Sequence, residues 1–278
     1  MSNPIRQPDE GAASTGGNVH PRILFSTKDD WEPHIRARLR DFEADFRDFS
    51  DPHTDCSGYA AVFPLTLAAA ARLHIKRDAG EPIPCLLPKR ETIALCNDKV
   101  AFNRFLRNSG FAGHVPETGK NIGFPYILKT SIDEWGRSSV LIENEADEAK
   151  HAAKLRSSLF FKQVYVSSKY EYACHLLMLD GRITFARAIE FEFPHDRFVF
   201  GKWAEPDLLK EINHSRFYPL FQSILEAVGY QGFCCIDYKL DADGQPAIFE
   251  LNPRMGGSLR YFINNALRAY IKAIGVRG

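Results

Sequence analysis

The stretch Ile236-Asp-Tyr-Lys-Leu-Asp-Ala-Asp-Gly-Gln-Pro-Ala-Ile-Phe-Glu-Leu-Asn-Pro-Arg-Met-Gly-Gly-Ser258 places Asp243-Gly244 between two largely apolar runs. Asp-Gly in that setting is a strong hairpin signal. With Asp243-Gly244 as a two-residue turn, Ala242 faces Gln245 and Asp237 falls directly opposite Glu250. Paired residues hold their Cβ atoms about 4.5–5.5 Å apart on one face of the sheet. Asn252, two residues beyond Glu250, shares that face. Opposed carboxylates destabilise a strand pair, and a divalent cation removes the repulsion. Oxygen donors alone suit Mg²⁺ better than Zn²⁺, and Mg²⁺ keeps positions for water and phosphate oxygens. The hairpin therefore points to a nucleoside triphosphate. A solvated strand face satisfies the same spacing, and spacing alone leaves both readings standing.

Positive charge for a triphosphate is available upstream. Lys99 follows Asn97-Asp98, where Asn97 is expected to cap a helix carrying Phe102, Phe105 and Leu106 and ending at Gly110. Lys129 ends an apolar run, Pro125 to Leu128, ahead of a polar loop from Thr130 to Ser138. A lysine at a strand end beside a loop suits a phosphate, although either residue also reads as solvent-exposed. Val140 to Ile142 reads as a return strand, and Asn144 as the cap of a helix running to about Leu155. Residues 159–166 read as a strand, Asp180-Gly181 as a second hairpin turn, 206–228 as a long helix and 259–274 as a final helix. Before residue 95, strands at 23–25, 59–64 and 82–87 alternate with helices at 31–39 and 65–74, the texture of a small parallel α/β lobe.

Composition narrows the classes. The chain has 278 residues, 45% hydrophobic and 25% charged, with 35 Lys plus Arg against 35 Asp plus Glu. That length buries a sizeable core in one to three lobes. A neutral balance argues against a nucleic-acid or membrane partner. Six cysteines include no C-x-x-C pair, as expected of free thiols in a reducing compartment. Residues 1–20 are polar and read as a flexible tail with no apolar signal core. No apolar run approaches the ~20 residues that span a bilayer. The expected location is the cytoplasm.

In order and spacing, residues 97–260 resemble the ATP-grasp superfamily. The matching segments are Asn97 to Leu106, Phe124 to Lys129, Lys162 to Val166 with Glu171-Tyr172, and the stretch quoted above. The most specific element is an Asp followed thirteen residues later by Glu-x-Asn-Pro-Arg and glycines. The resemblance implies a small N-terminal α/β lobe (21–95) followed by a two-lobed α+β ATP-grasp domain (96–278), split into a small lobe (96–158) and a large lobe (159–278). It implies that Lys99 and Lys129 bind phosphates, and that Gln163, Val164 and Val166 form the adenine hinge. Glu171 would hold the ribose, and Asp237, Glu250 and Asn252 would hold two Mg²⁺ ions, with Mn²⁺ as a substitute. Arg254 would steady the transferring phosphate, with Lys129 as its catalytic partner.

The implied activity is an ADP-forming ligase that activates a small-molecule or peptide carboxylate as an acyl phosphate and couples it to an amine. Carbamoyl-phosphate or carboxylation chemistry, or a non-catalytic ATP-binding regulatory role, are the alternatives; a homodimer is left open. Three features depart from the pattern. The loop 130–138 carries one glycine, Gly136, together with Trp135 and Arg137. The hinge reads Gln163-Val164 where Gln-Glu is common. Cys235 stands where some ligases of the family have an arginine, for which Arg187 is a candidate substitute. His175 and His195 read as structural or surface residues, and Asn264-Asn265 receive no role.

Overall fold

A computed structural model describes residues 20–132, 138–199 and 206–275. Residues 1–19 of the expected tail and residues 133–137 of the polar loop, Trp135, Gly136 and Arg137 among them, lie outside the described residues.

The first lobe holds β1 (Arg22–Ser26), α1 (Glu32–Arg36), β2 (Glu43–Arg47), β3 (Ala61–Phe63) and α2 (Leu67–Asp78). Its sheet is parallel, in the order β2-β1-β3. β1 is buried after its first residue, which is why it reads as an unbroken apolar run. β2 escaped the sequence pattern because its residues, Glu-Ala-Asp-Phe-Arg, suit a charged edge. Only Phe46 is buried there, stacked 5.2 Å from Phe25. The expected strand at 82–87 is not formed. Pro82, Pro84 and Pro88 lack N–H donors, Pro84 gives one carbonyl to Val62 N–H (2.9 Å), and Leu86 N–H goes to the Tyr270 hydroxyl (2.6 Å).

Next come α3 (Arg90–Asn97), α4 (Lys99–Leu106), β4 (Tyr126–Thr130), β5 (Val140–Ile142), α5 (Glu145–Lys150), α6 (Ala152–Arg156) and β6 (Phe160–Val164). The cap of α4 is Asp98, not Asn97: its carboxylate accepts from Val100 and Ala101 N–H at 2.9 and 3.0 Å. Asn97 instead ends α3. The helix expected from Asn144 to Leu155 breaks at His151 into α5 and α6. The second sheet has the order β5-β4-β6. β6 therefore pairs with β4 across the boundary expected at 158/159. The boundary expected at 95/96 cuts α3, whose Thr92 hydroxyl donates to Val228 O (3.1 Å) and whose Cys96 is buried in the core of the large lobe.

The large lobe comprises β7 (Tyr170–Leu179), β8 (Arg182–Glu192), β9 (Leu208–Ile212), α7 (Tyr218–Ala227), β10 (Gly232–Leu240), β11 (Pro246–Asn252) and α8 (Ile263–Ala273). Its antiparallel sheet has the order β11-β10-β7-β8-β9. The helix expected over 206–228 is shortened to α7. Leu208, Leu209 and Ile212 fit a helical stripe, but the segment pairs with β8 at the sheet edge, where Lys210 and Glu211 meet Glu190 and Arg187 at 2.7 and 2.9 Å. Pro219 then sits in the first turn of α7, where its missing N–H has no cost. The first part of the expected final helix, 257–262, is a 3-10 turn.

One face of this sheet packs on α7. The other packs on α8 and the first lobe in a single continuous core. Phe63, Phe233 and Tyr270 meet there with centroids 4.6–6.0 Å apart. Gly232 (φ +95) lets the chain pass so close to Leu86 that an added Cβ would lie 2.4 Å from its carbonyl oxygen. Asn264, given no role from sequence, accepts from Arg40 and Asp41 N–H and donates to the Asp41 carboxylate, tying α8 to the first lobe. Among the described residues no helix is long and apolar enough to cross a membrane. All six cysteines are free.

Candidate active site

The turn between β10 and β11 differs from expectation, although Asp237 does face Glu250. Asp241 pairs with Gln245, so three residues rather than two form the loop, with Gly244 at φ +71. A one-residue bulge at Phe249 makes up the difference: Tyr238 pairs with Ile248, while Asp237 pairs with Glu250. The bulge keeps Ile248 in the core and turns Phe249 toward the cleft beside Glu250.

A cleft of about 320 Å³ lies between the small and large lobes. Asp237, Glu250 and Asn252 converge on its floor. The Asn252 side-chain amide donates to Asp237 Oδ2 (2.8 Å) and to Glu250 Oε1 (3.1 Å). Lys99, at the first position of α4, places Nζ 2.8 Å from Glu250 Oε2. The backbone N–H of Lys99 donates to Ser131 O (2.9 Å), which ties the start of the polar loop to this helix end. Lys129, at the end of β4, holds its ammonium 4.8 Å from the centre of the Phe249 ring.

The electrostatics follow from crowding. Burial, then the charges of Glu250 and Glu171, push the Asp237 carboxyl well above the usual range. Burial opposes ionisation of Glu250 too, but Lys99 and Lys129 hold it down to about 2. Burial lowers Lys129 to about 8 and raises Glu171 to about 7. Opposed carboxylates of which one resists ionisation form a site that gains from added positive charge. Among the described residues no three His, Cys, Asp or Glu side chains form a metal cage. The donors here are two carboxylates and an amide, a set that suits Mg²⁺ completed by water and phosphate oxygens.

The far wall belongs to β6 and the segment after it. Gln163, Val164 and Val166 line the cleft. The Gln163 Oε1 atom is buried without a partner, an acceptor in want of a donor. Val164 N–H is engaged by Glu117 O (2.9 Å), so it cannot serve a base. The Val166 carbonyl accepts from Lys239 Nζ (3.3 Å). Glu171 lines the same end from β7.

Lys239 was missed by the sequence reasoning, although strand alternation two residues past Asp237 puts it on the cleft face. Its ammonium lies 3.9 Å from the Phe198 ring centre and 5.0 Å from that of Tyr165, and burial lowers it to about 8. Phe249 and Arg260 were missed as well. A bulge has no signature in alternation, and Arg260 reaches the cleft only because residues 257–262 wind as a 3-10 turn.

Arg254 lines the cleft and donates to Met255 O (3.0 Å). Arg187 does not line it; it pairs with Glu211 on β9. His195 is exposed, away from the cleft. His175 is fully buried, its Nε2 2.7 Å from Ser258 Oγ, and burial lowers its ring to about 3. Among the described residues none of the first lobe lines the cleft, but Arg38 stacks 5.0 Å from the ring centre of the cleft residue Tyr261, and Leu67 lines a small adjoining pocket with Lys99, Glu250, Asn252 and Arg254.

No family model matches the sequence, and no curated protein matches it significantly. Solved structures do match. A D-alanine–D-alanine ligase from Bacillus anthracis complexed with ATP aligns over 92% of this chain and 97% of its own, with TM-score 0.62 and 14% identity. The ATP-grasp ligase PsnB, complexed with a minimal precursor, aligns over 90% and 99%, with TM-score 0.59 and 17% identity. An N5-carboxyaminoimidazole synthetase from Staphylococcus aureus, complexed with ADP, aligns over 87% and 73%, with TM-score 0.63 and 16% identity. These likenesses are likenesses of fold.

Proposed function

We propose that this chain, whose fold is that of the ATP-grasp ligases, joins a carboxylate to an amine at the expense of ATP. The carrying observation is the convergence of Asp237, Glu250 and Asn252 with Lys99, Lys129 and Arg254 in one cleft. A substrate carboxylate oxygen attacks the γ-phosphorus as the β,γ-bridging P–O bond breaks, giving an acyl phosphate and ADP. The amine then attacks the acyl carbon, phosphate departs and an amide remains after the amine loses a proton.

The roles of the residues follow from placement. Lys99 and Lys129 neutralise phosphate oxygens, and Arg254 carries the charge of the group in transit. Asp237, Glu250 and Asn252 would hold two Mg²⁺ ions, with the Asn252 amide turned to present its oxygen; bound there, the ions would neutralise phosphate charge. Gln163 Oε1, the orphaned acceptor, suits the 6-amino group of adenine, and Glu171 suits the ribose hydroxyls. Such a site works mainly by positioning and charge neutralisation in a water-poor cleft.

The test is acid- and amine-dependent ADP release with ¹⁸O-labelled carboxylates. Transfer of ¹⁸O to the released phosphate is the expected result. Turnover without such transfer, or ATP binding without turnover for any pair, would exclude the ligase reading. Structural likeness to an N5-carboxyaminoimidazole synthetase favours a second reading, carboxylation of an amine, which absolute dependence on bicarbonate would reveal.

A further inference from the structure

Three lysines, Lys99, Lys129 and Lys239, and three carboxylates, Asp237, Glu250 and Glu171, line the cleft. Two guanidiniums, Arg254 and Arg260, line it as well, and among the described residues neither forms an ion pair with a carboxylate. Arg254 is accounted for by the phosphate in transit. Arg260 is not.

Arg260 is held in a defined pose. Its guanidinium carbon lies 5.2 Å from the Tyr261 ring centre, and Nη2 is 3.4 Å from the Tyr261 hydroxyl. Its Nε is buried with no hydrogen-bond partner. Arg38 of the first lobe stacks 5.0 Å from the same ring centre. A planar donor fork with a buried unmatched N–H is the arrangement that receives a carboxylate. Among the described residues Arg254 is the one other guanidinium that lines the cleft without an ion pair.

We propose that Arg260, with the Tyr261 hydroxyl, binds a non-reacting carboxylate carried by one of the two co-substrates. The enzyme would then take an amino acid or peptide as its amine, or a dicarboxylic acid as its acid. This rests on the ligase reading above, and the experiment separates the two. Probes are offered in matched pairs: L-amino acids against their carboxamides for the amine, and short dicarboxylic acids against their monoamides for the acid. Binding is measured by calorimetry with a non-hydrolysable ATP analogue present, so that it does not depend on turnover. For pairs that also release ADP, KM and kcat are determined.

In the wild type, the carboxylate member of one series should bind about 10- to 100-fold more tightly than its amide, in keeping with charge-assisted hydrogen bonds. The series that shows the difference identifies the co-substrate. Arg260→Gln should erase that preference, raising KM with kcat within about threefold; Arg260→Lys should restore part of it. Unchanged preference in Arg260→Gln, an equal loss for both members of a pair, or no preference in the wild type would each overturn the proposal. Carboxylate preference without any turnover would leave Arg260 in this role and overturn the ligase reading alone.

Discussion

At the scale of single residues, the cleft is governed by how few side chains balance its charge. Glu250 accepts from Lys99 and Asn252 while facing a carboxyl that resists ionisation. Glu250→Gln should therefore lower ADP release about 100-fold or more, with an unchanged circular dichroism spectrum. His175 has a different consequence. Its ring is held to about 3 when folded, below the ~6.5 of an unfolded chain. Below about pH 6.5 the unfolded state binds a proton that the folded state refuses, so stability falls as the pH drops toward about 3 and is unaffected above that window. Unfolding free energies from urea titrations between about pH 7 and 5 should show a slope of up to ~1.4 kcal/mol per pH unit from this group, absent in His175→Asn. Gly256 shares this spot: an added Cβ would lie 2.6 Å from His175 Cε1 and 2.8 Å from Cys235 Sγ, a conflict that alternation patterns do not reveal.

At the scale of elements, the β10–β11 hairpin shows how a correct pairing can hide an incorrect turn. The two-residue turn and the regular ladder were both wrong by one residue, in opposite senses, and Asp237 met Glu250 regardless. The structure adds the consequence: the bulge brings Phe249 under the Lys129 ammonium. Phe249→Ala should weaken nucleotide binding about 3- to 10-fold through loss of that contact, read as KM for ATP, without loss of the fold. The segment 208–212 teaches the complementary lesson. Its apolar spacing fits a helix, but an unpaired edge of β8 offers backbone partners and two ion pairs, and tertiary demand overrides local periodicity.

At the scale of the whole molecule, the first lobe is not a detachable module. Ile23, Phe25, Phe46 and Phe63 share one core with Leu177, Phe233, Leu267 and Tyr270. A fragment beginning at residue 96 would expose this face to water, at about 1.5–3 kcal/mol for each large side chain uncovered. It should therefore fail to give a cooperative unfolding transition, where the full chain gives one. Tyr270→Ala should cost the full chain about 3–5 kcal/mol, measured by chemical denaturation, because it opens a cavity and strands Leu86 N–H.

What the sequence determined by itself was local in origin: strand and helix periods, the two Asp-Gly hairpins, and the facing of Asp237 and Glu250 across one of them. Those signals survive because each depends on near neighbours or on a short, countable ladder. Tertiary structure decided the rest. It set β9 on the edge, paired β6 with β4, buried Lys239 between two rings, and left Arg260 beside Tyr261 with no carboxylate among the described residues to answer it. Each of these depends on which distant surface a residue meets, and residue spacing along the chain carries no record of that.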